Sequence, residues 1–214
     1  MSSADISKCR LYGILDLAYV NRSAVISVAL QMVAGGVQVI QLRAKSHGPD
    51  EIEHIAADIL PVTRDAGIPL IVNDHSEIVT AMEIAGVHVG QGDQSINEAR
   101  RSAARPCIVG RSTHSVGQAT QAAEEGADYI GFGPLYATPT KPDYTPIGLH
   151  DMGRVHAAVR IPIFCIGGIN LDNLPAVIAA GARRVVIVSR LLCAPDIAAY
   201  ARAARALLDA APLN

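Results

Sequence analysis

Residues 126–141, GADYIGFGPLYATPTK, carry the pattern that decides the fold. Gly126 ends an alanine-rich helical stretch, residues 128–132 form a short apolar run, and a loop closes on Thr-Pro-Thr-Lys. A glycine at a helix end supplies the left-handed residue that the C-cap needs. Gly131 and Gly133 then leave room for a ligand to approach the backbone where the strand ends. Working outward, the same punctuation recurs at Gly36, Gly67, Gly86 and Gly181. Reading between these glycines gives eight strand candidates: 11–15, 37–42, 69–72, 86–89, 107–109, 128–132, 163–166 and 185–188. Most are apolar runs without clean alternation, as expected of parallel strands covered on both faces. Helical periodicity fills the intervals. Ile197, Tyr200, Ala201, Ala204, Leu207 and Leu208 share one face behind Asp196, and Ser115 opens the helix that Gly126 closes.

Eight strand–helix units without a linker predict an α/β protein, a single-domain (β/α)8 TIM barrel over residues 1–214. An open doubly wound sheet is the competitor. It lacks support, because Tyr12-Gly13-Ile14-Leu15-Asp16 stands where a GxGxxG fingerprint would follow the first strand.

Composition fits a globular enzyme. Of 214 residues, 50% are hydrophobic and 18% charged, which excludes a disordered chain. A net charge of −2 gives no basis for a nucleic-acid or anionic-membrane partner. Cys9, Cys107, Cys165 and Cys193 are scattered without a CxxC pair, and MSSADISKCR has no apolar leader, so the expectation is a cytoplasmic protein that does not enter a membrane. A homo-oligomer is compatible with the sequence.

A barrel enzyme gathers its site at the C-terminal ends of its strands. Polar residues stand there on nearly every strand. Gln41, Arg43 and Lys45 follow at spacing two above Val37 and Val39, so the column should be apolar at the barrel base and cationic at its mouth. Strand three ends in Asn73-Asp74, strand four leads to Asp93, strand five to Ser112 and His114, and strand six to Thr138, Thr140 and Lys141. Asp74 and Asp93 follow adjacent strands, and two carboxylates plus ligand oxygens are the usual cage for Mg2+. Beside Arg43, Lys45 and Lys141, one of only three lysines, they imply a ligand with several negative charges, such as a pyrophosphate. Gly167-Gly168 and Val188-Ser189 end strands seven and eight, the recurrent monophosphate site of such barrels. The seven histidines show no metal-ligand spacing; His88 reads as a hydrogen-bonded core residue, and His114 as either a proton-exchanging group or a helix cap.

Taken together, GVQVIQLRAK, IPLIVNDH, AGVHVGQGD, GRSTH, GADYIGFGPLYATPTK, IPIFCIGGI and VVIVS, in that order, resemble the thiamine phosphate synthase family. The resemblance runs from Leu11 to about Leu192. It implies a transferase of thiamine biosynthesis that joins an aminopyrimidine methyl pyrophosphate to a thiazole ethyl phosphate. By position it implies that Asp74 and Asp93 hold Mg2+; that Arg43, Lys45, Asn73, Ser112 and Lys141 hold the pyrophosphate; and that Gln41 reads the pyrimidine. Of these, Lys141, Arg43, Lys45 and Ser112 are the expected catalytic set. Thr138, Thr140, Gly168 and Ser189, with Val188 beside them, would hold the thiazole phosphate. Arg190 departs from the small residue expected after that serine. Chemically, the bond to pyrophosphate breaks by electrostatic stabilisation of the leaving group, and the loop over 133–148 is expected to shield the resulting cation. Two other readings remain: a thiazole tautomerase using His114, and a non-catalytic sensor of phosphorylated metabolites.

Overall fold

A computed structural model describes residues 5–140 and 144–212. Eight parallel strands close into a barrel in chain order: β1 (Leu11–Asp16), β2 (Val39–Arg43), β3 (Leu70–Asn73), β4 (Gly86–Val89), β5 (Ile108–Thr113), β6 (Tyr129–Phe132), β7 (Ile163–Cys165) and β8 (Val185–Ile187). Closure is made by β1 against β8, with Leu11 opposite Val185. The α-helices are α1 (Val25–Ala34), α2 (Pro49–Asp65), α3 (Ser76–Met82), α4 (Ile96–Ala103), α5 (Val116–Glu124), α6 (Met152–Ala158), α7 (Leu174–Ala179), α8 (Ser189–Leu192) and α9 (Ile197–Asp209). Two of the expected caps are present: Ser115 Oγ accepts from Gln118 N at 3.2 Å, and Asp196 Oδ1 accepts from Ala199 N at 2.8 Å.

Side chains of a strand alternate between two faces, so the barrel needs two cores. The outer core joins strands to helices through residues such as Leu11, Leu15, Leu42, Val72 and Val87. The inner core is Tyr12, Ile14, Val39, Ile71, Tyr129, Phe164 and Val186, closed at the base by Ile6 and Cys9. Both faces of most strands are therefore apolar along their lower part, which is why the sequence runs show no clean alternation. Above the inner core, the same inward parity carries Gln41, Arg43, Asn73 and Ser112 to the mouth.

Three expectations need correction. Gly36, Gly67, Gly126 and Gly181 do take positive φ after helices, but Gly86 does not. It opens β4, where an added Cβ would lie 2.1 Å from the Ile108 carbonyl oxygen; Glu83, at φ 55°, turns the chain after α3 instead. β5 runs on through Gly110 to Thr113 because it pairs on both sides, with β4 and with β6. Ser112 is thereby held on a strand and not in a loop. Val37 lies outside the inward column, packing in the outer core because it precedes the first pairing residue of β2.

Candidate active site

Two adjoining cavities open at the C-terminal mouth. One reaches into the barrel past Gln41, Ile14, Ile166 and Val186 to Gly167, Gly168, Thr138 and Ser189. The other is more polar and is lined by Lys45, Asp74, Asp93 and the glycines around Gln91. Arg43, Asn73, His88, Ser112 and Thr140 border both.

The polar cavity is held by backbone geometry and by its own ion pairs. Asp74 follows β3 at φ 67°, a left-handed conformation that aspartate tolerates better than most residues. Its carbonyl accepts from Gln94 Nε2 at 2.6 Å, and the Gln94 carbonyl in turn accepts from Arg111 Nη1 at 2.9 Å. Asp93 Oδ2 accepts from Gly90 N at 2.8 Å. Burial pushes the Asp74 carboxyl up; Lys45, which hydrogen-bonds to it, pulls the other way, and a hydrogen bond with Asp93 raises it again. Two carboxylates lining one cavity are eased by a proton or a cation between them. Among the described residues no cluster of three or more histidine, cysteine, aspartate or glutamate side chains exists, so a cation here would draw its other ligands from water and substrate oxygens.

Arg43 is also paired. Its Nη1 donates to Asp16 Oδ2 at 2.5 Å, and Asp16 is 1% exposed. Sequence reasoning counted Arg43 and Lys45 as cations and overlooked Asp16. The available signal was parity: Tyr12, Ile14 and Asp16 lie at spacing two, so an inward strand carries its acid to the mouth.

The deeper cavity is shaped by close approach. Gly167 and Gly168 take φ of 97° and 66°, and a Cβ on Gly168 would lie 2.6 Å from the Ala137 carbonyl oxygen. The loop after β6 is anchored from the far side of the mouth, where Tyr19 Oη and Thr140 Oγ1 are 3.2 Å apart. Ser189 opens α8 after Val188, and both line the cavity. Arg190 is exposed and lines neither cavity.

The family model described as thiamine monophosphate synthase matches residues 11–191. The chain belongs to the thiamine monophosphate synthase family. A thiamine-phosphate synthase of Chloroflexus aurantiacus is 40% identical over 210 residues, covering 98% of this chain and 97% of that one. One from Moorella thermoacetica is 43% identical over 180 residues, covering 84% and 86%. Among solved structures, thiamine phosphate pyrophosphorylase from Pyrococcus furiosus superposes with a TM-score of 0.87 at 28% identity, covering 95% of this chain and 97% of that one. The protein is thus a transferase enzyme of thiamine biosynthesis acting on small molecules. No helix among the described residues is long and apolar enough to cross a membrane.

Within this thiamine monophosphate synthase fold, the mouth brings together Gln41, Arg43, Lys45, Asn73, Asp74, Asp93, Ser112, Thr138, Thr140, Gly168, Val188 and Ser189. Lys141 lies outside the described residues. His114 is no helix cap, since Ser115 fills that position; its Nδ1 meets the Gly133 carbonyl and its buried Nε2 has no hydrogen-bond partner among the described residues. His88 does more than fill the core. Its Nδ1 is 3.0 Å from Tyr129 Oη and its Nε2 is 3.0 Å from Ser112 Oγ. Beyond Tyr129 the bonds continue to Tyr12 Oη at 3.0 Å, which accepts from Gln41 Nε2 at 2.7 Å. Neither tyrosine stood out in the sequence, because each sits in an apolar strand and reads as core.

Proposed function

We propose that this thiamine phosphate synthase joins an aminopyrimidine methyl pyrophosphate to a thiazole ethyl phosphate, releasing thiamine phosphate and pyrophosphate. The carrying observation is the pair of cavities that meet along Arg43, Asn73, His88, Ser112 and Thr140. The polar cavity takes the pyrophosphate, the deeper one takes the pyrimidine on Gln41, and the thiazole phosphate lies on Thr138, Thr140, Gly168 and Ser189, with Val188 beside it. The carbon that changes partners then sits at the shared wall.

Charge supports a divalent cation. Among the described residues at the mouth, the two cations Arg43 and Lys45 face the three carboxylates Asp16, Asp74 and Asp93, leaving one negative charge in excess with all ionised. By themselves these five side chains repel an anion. Mg2+ on Asp74 and Asp93 would reverse that sign and neutralise charge on the departing oxygen. Lys141, by its place in the TPTK loop, adds a further positive charge. The chain's own residues hold the diphosphate in place: Arg43 and Lys45 by charge, Asn73 and Ser112 by hydrogen bonds. The C–O bond breaks with its electron pair leaving on the pyrophosphate, and the aminopyrimidine ring carries the methylene cation. The thiazole nitrogen then donates its lone pair to form the C–N bond. No protein nucleophile is required, and apolar walls at Ile14, Ile166 and Val186 limit water at the cation. All four cysteines are free thiols, which supports a reducing cytoplasmic setting.

Incubation with both substrates and Mg2+ tests the reading. Thiamine phosphate and pyrophosphate should appear in equal amounts, and neither without metal. A tautomerase would leave the pyrophosphate uncleaved and need no magnesium.

A further inference from the structure

The chain of hydrogen bonds inside the barrel has a direction. Tyr12 and Tyr129 are each 1% exposed, and burial raises both phenols well above their ordinary range, so each keeps its proton. A phenol has one hydrogen to give and a neutral imidazole has one N–H. Four bonds in series through such groups use every buried phenol hydrogen in only two arrangements; any other leaves a phenol O–H inside the core with nothing to donate to. In the first, Gln41 donates to Tyr12, Tyr12 to Tyr129, Tyr129 to His88 Nδ1 and His88 Nε2–H to Ser112. The Ser112 hydrogen is then left to point outward. In the second every bond reverses, and Ser112 offers only lone pairs to whatever lies in the mouth.

The ends choose between them. Gln41 Nε2, the donor end of the amide, is the atom 2.7 Å from Tyr12 Oη. That orientation leaves Gln41 an oxygen and a second N–H, the complement of an aminopyrimidine edge. At the other end an anion demands a donor. The rings are locked for the purpose: Phe164 packs edge-on against both tyrosines, with centroids 5.4 and 5.5 Å away. Gly110 leaves the space that Tyr129 fills, since a Cβ there would lie 2.5 Å from its hydroxyl oxygen.

We propose that Tyr12, Tyr129 and His88 form a one-way relay that fixes His88 as the Nε2–H tautomer and aims the Ser112 hydroxyl hydrogen at the leaving pyrophosphate. The three are positioning residues, and the function of the relay rests on the synthase reading above. The relay ties the two halves of the pyrimidine substrate together: the amide orientation that suits the ring at Gln41 also sets Ser112 to donate.

The test has two arms. Nitrogen-15 NMR of the labelled protein, with His88 assigned by its loss in His88→Gln, should show Nδ1 unprotonated and Nε2 protonated. In Tyr129→Phe, which removes the donor to Nδ1 and keeps the ring, the tautomers should mix. Tyr129→Phe should lower kcat by about tenfold, less than the roughly 10²-fold typical of losing a direct donor, with KM for the pyrimidine pyrophosphate held within about twofold. Placed on Ser112→Ala, it should cost nothing further, because both changes remove one interaction. An Nδ1–H tautomer or an imidazolium in the wild type overturns the relay, as do losses that multiply in the double variant. Tyr12→Phe cuts the same chain one link earlier and serves if Tyr129→Phe does not fold. Were the wild type to make no thiamine phosphate, the synthase reading would fall while the NMR arm still decided the direction of the chain.

Discussion

Arg43 and Asp16 face one another at the same level of β2 and β1, joined at 2.5 Å beneath the mouth. The carboxylate is buried while the guanidinium borders both cavities. Asp16 Oδ1 also accepts from Ala18 N at 3.0 Å, so the acid is held by its own turn before it holds the arginine. The pair therefore aims Arg43 as well as partly neutralising it.

Asp16→Ala should consequently harm both stability and binding. Removing one partner leaves a half-buried guanidinium without its counter-charge, a loss of about 3 kcal/mol. Denaturant unfolding should show that loss, and KM for the pyrimidine pyrophosphate should rise. Unchanged stability would mean that water replaces the carboxylate.

Asparagine is the substitution of choice at Asp74, because its φ of 67° would strain alanine. Asp74→Asn and Asp93→Asn should each abolish magnesium-dependent turnover while melting within a few degrees of the parent. In a thermal-shift assay, Mg2+ with inorganic pyrophosphate should stabilise the parent and neither variant. Stabilisation of both variants equal to the parent's would rule out the two-carboxylate site.

The thiazole phosphate is remote from the breaking bond. Ser189→Ala should therefore raise its KM and leave kcat nearly intact. Gly168→Ala should act in the same direction more strongly, since the added methyl meets Tyr136 Cβ at 2.7 Å and displaces the loop bearing Thr138 and Thr140. Lys141→Ala should instead lower kcat by roughly 10²-fold. Parallel changes in all three variants would show one shared anion site.

Thiol reactivity should follow burial. The Cys165 thiol is completely buried and pushed up to about 12, whereas Cys193 is exposed. A disulfide reagent at pH 8 should modify Cys193 at once and Cys165 only on unfolding. Mass spectrometry of the labelled peptides gives the order directly.

His156 sets a pH dependence of stability. Burial, then Arg183 and Arg184, hold its folded pKa below the ordinary value, and its Nε2 is buried without a partner among the described residues. The unfolded chain then takes up a proton near pH 6.5 that the folded chain refuses, so this contribution is intact above that pH and lost as the pH falls below it. Melting temperature should decline from pH 6.5 to 5, and less steeply in His156→Gln. Equal slopes would assign the decline to other groups.

The barrel was legible in the chain because its signals are local. A glycine at φ 84° after α1 and another at φ 87° after α5 mark helix ends from neighbouring residues alone, and a covered parallel strand shows itself as an apolar run. Asp74, Asp93, Gln41 and Ser189 could be picked out for the same reason: each follows or ends such a run. Local signals also misled. Gly86 has the composition of a helix stop, yet the carbonyl of Ile108 on the next strand made it the start of β4. What only the tertiary structure decided is which side chains meet. Tyr12 and Tyr129, 117 positions apart, touch across the barrel interior, and Asp16 reaches Arg43 through strand register. Closure of the sheet makes those contacts, and no period in the sequence encodes a distance across the inside of a barrel.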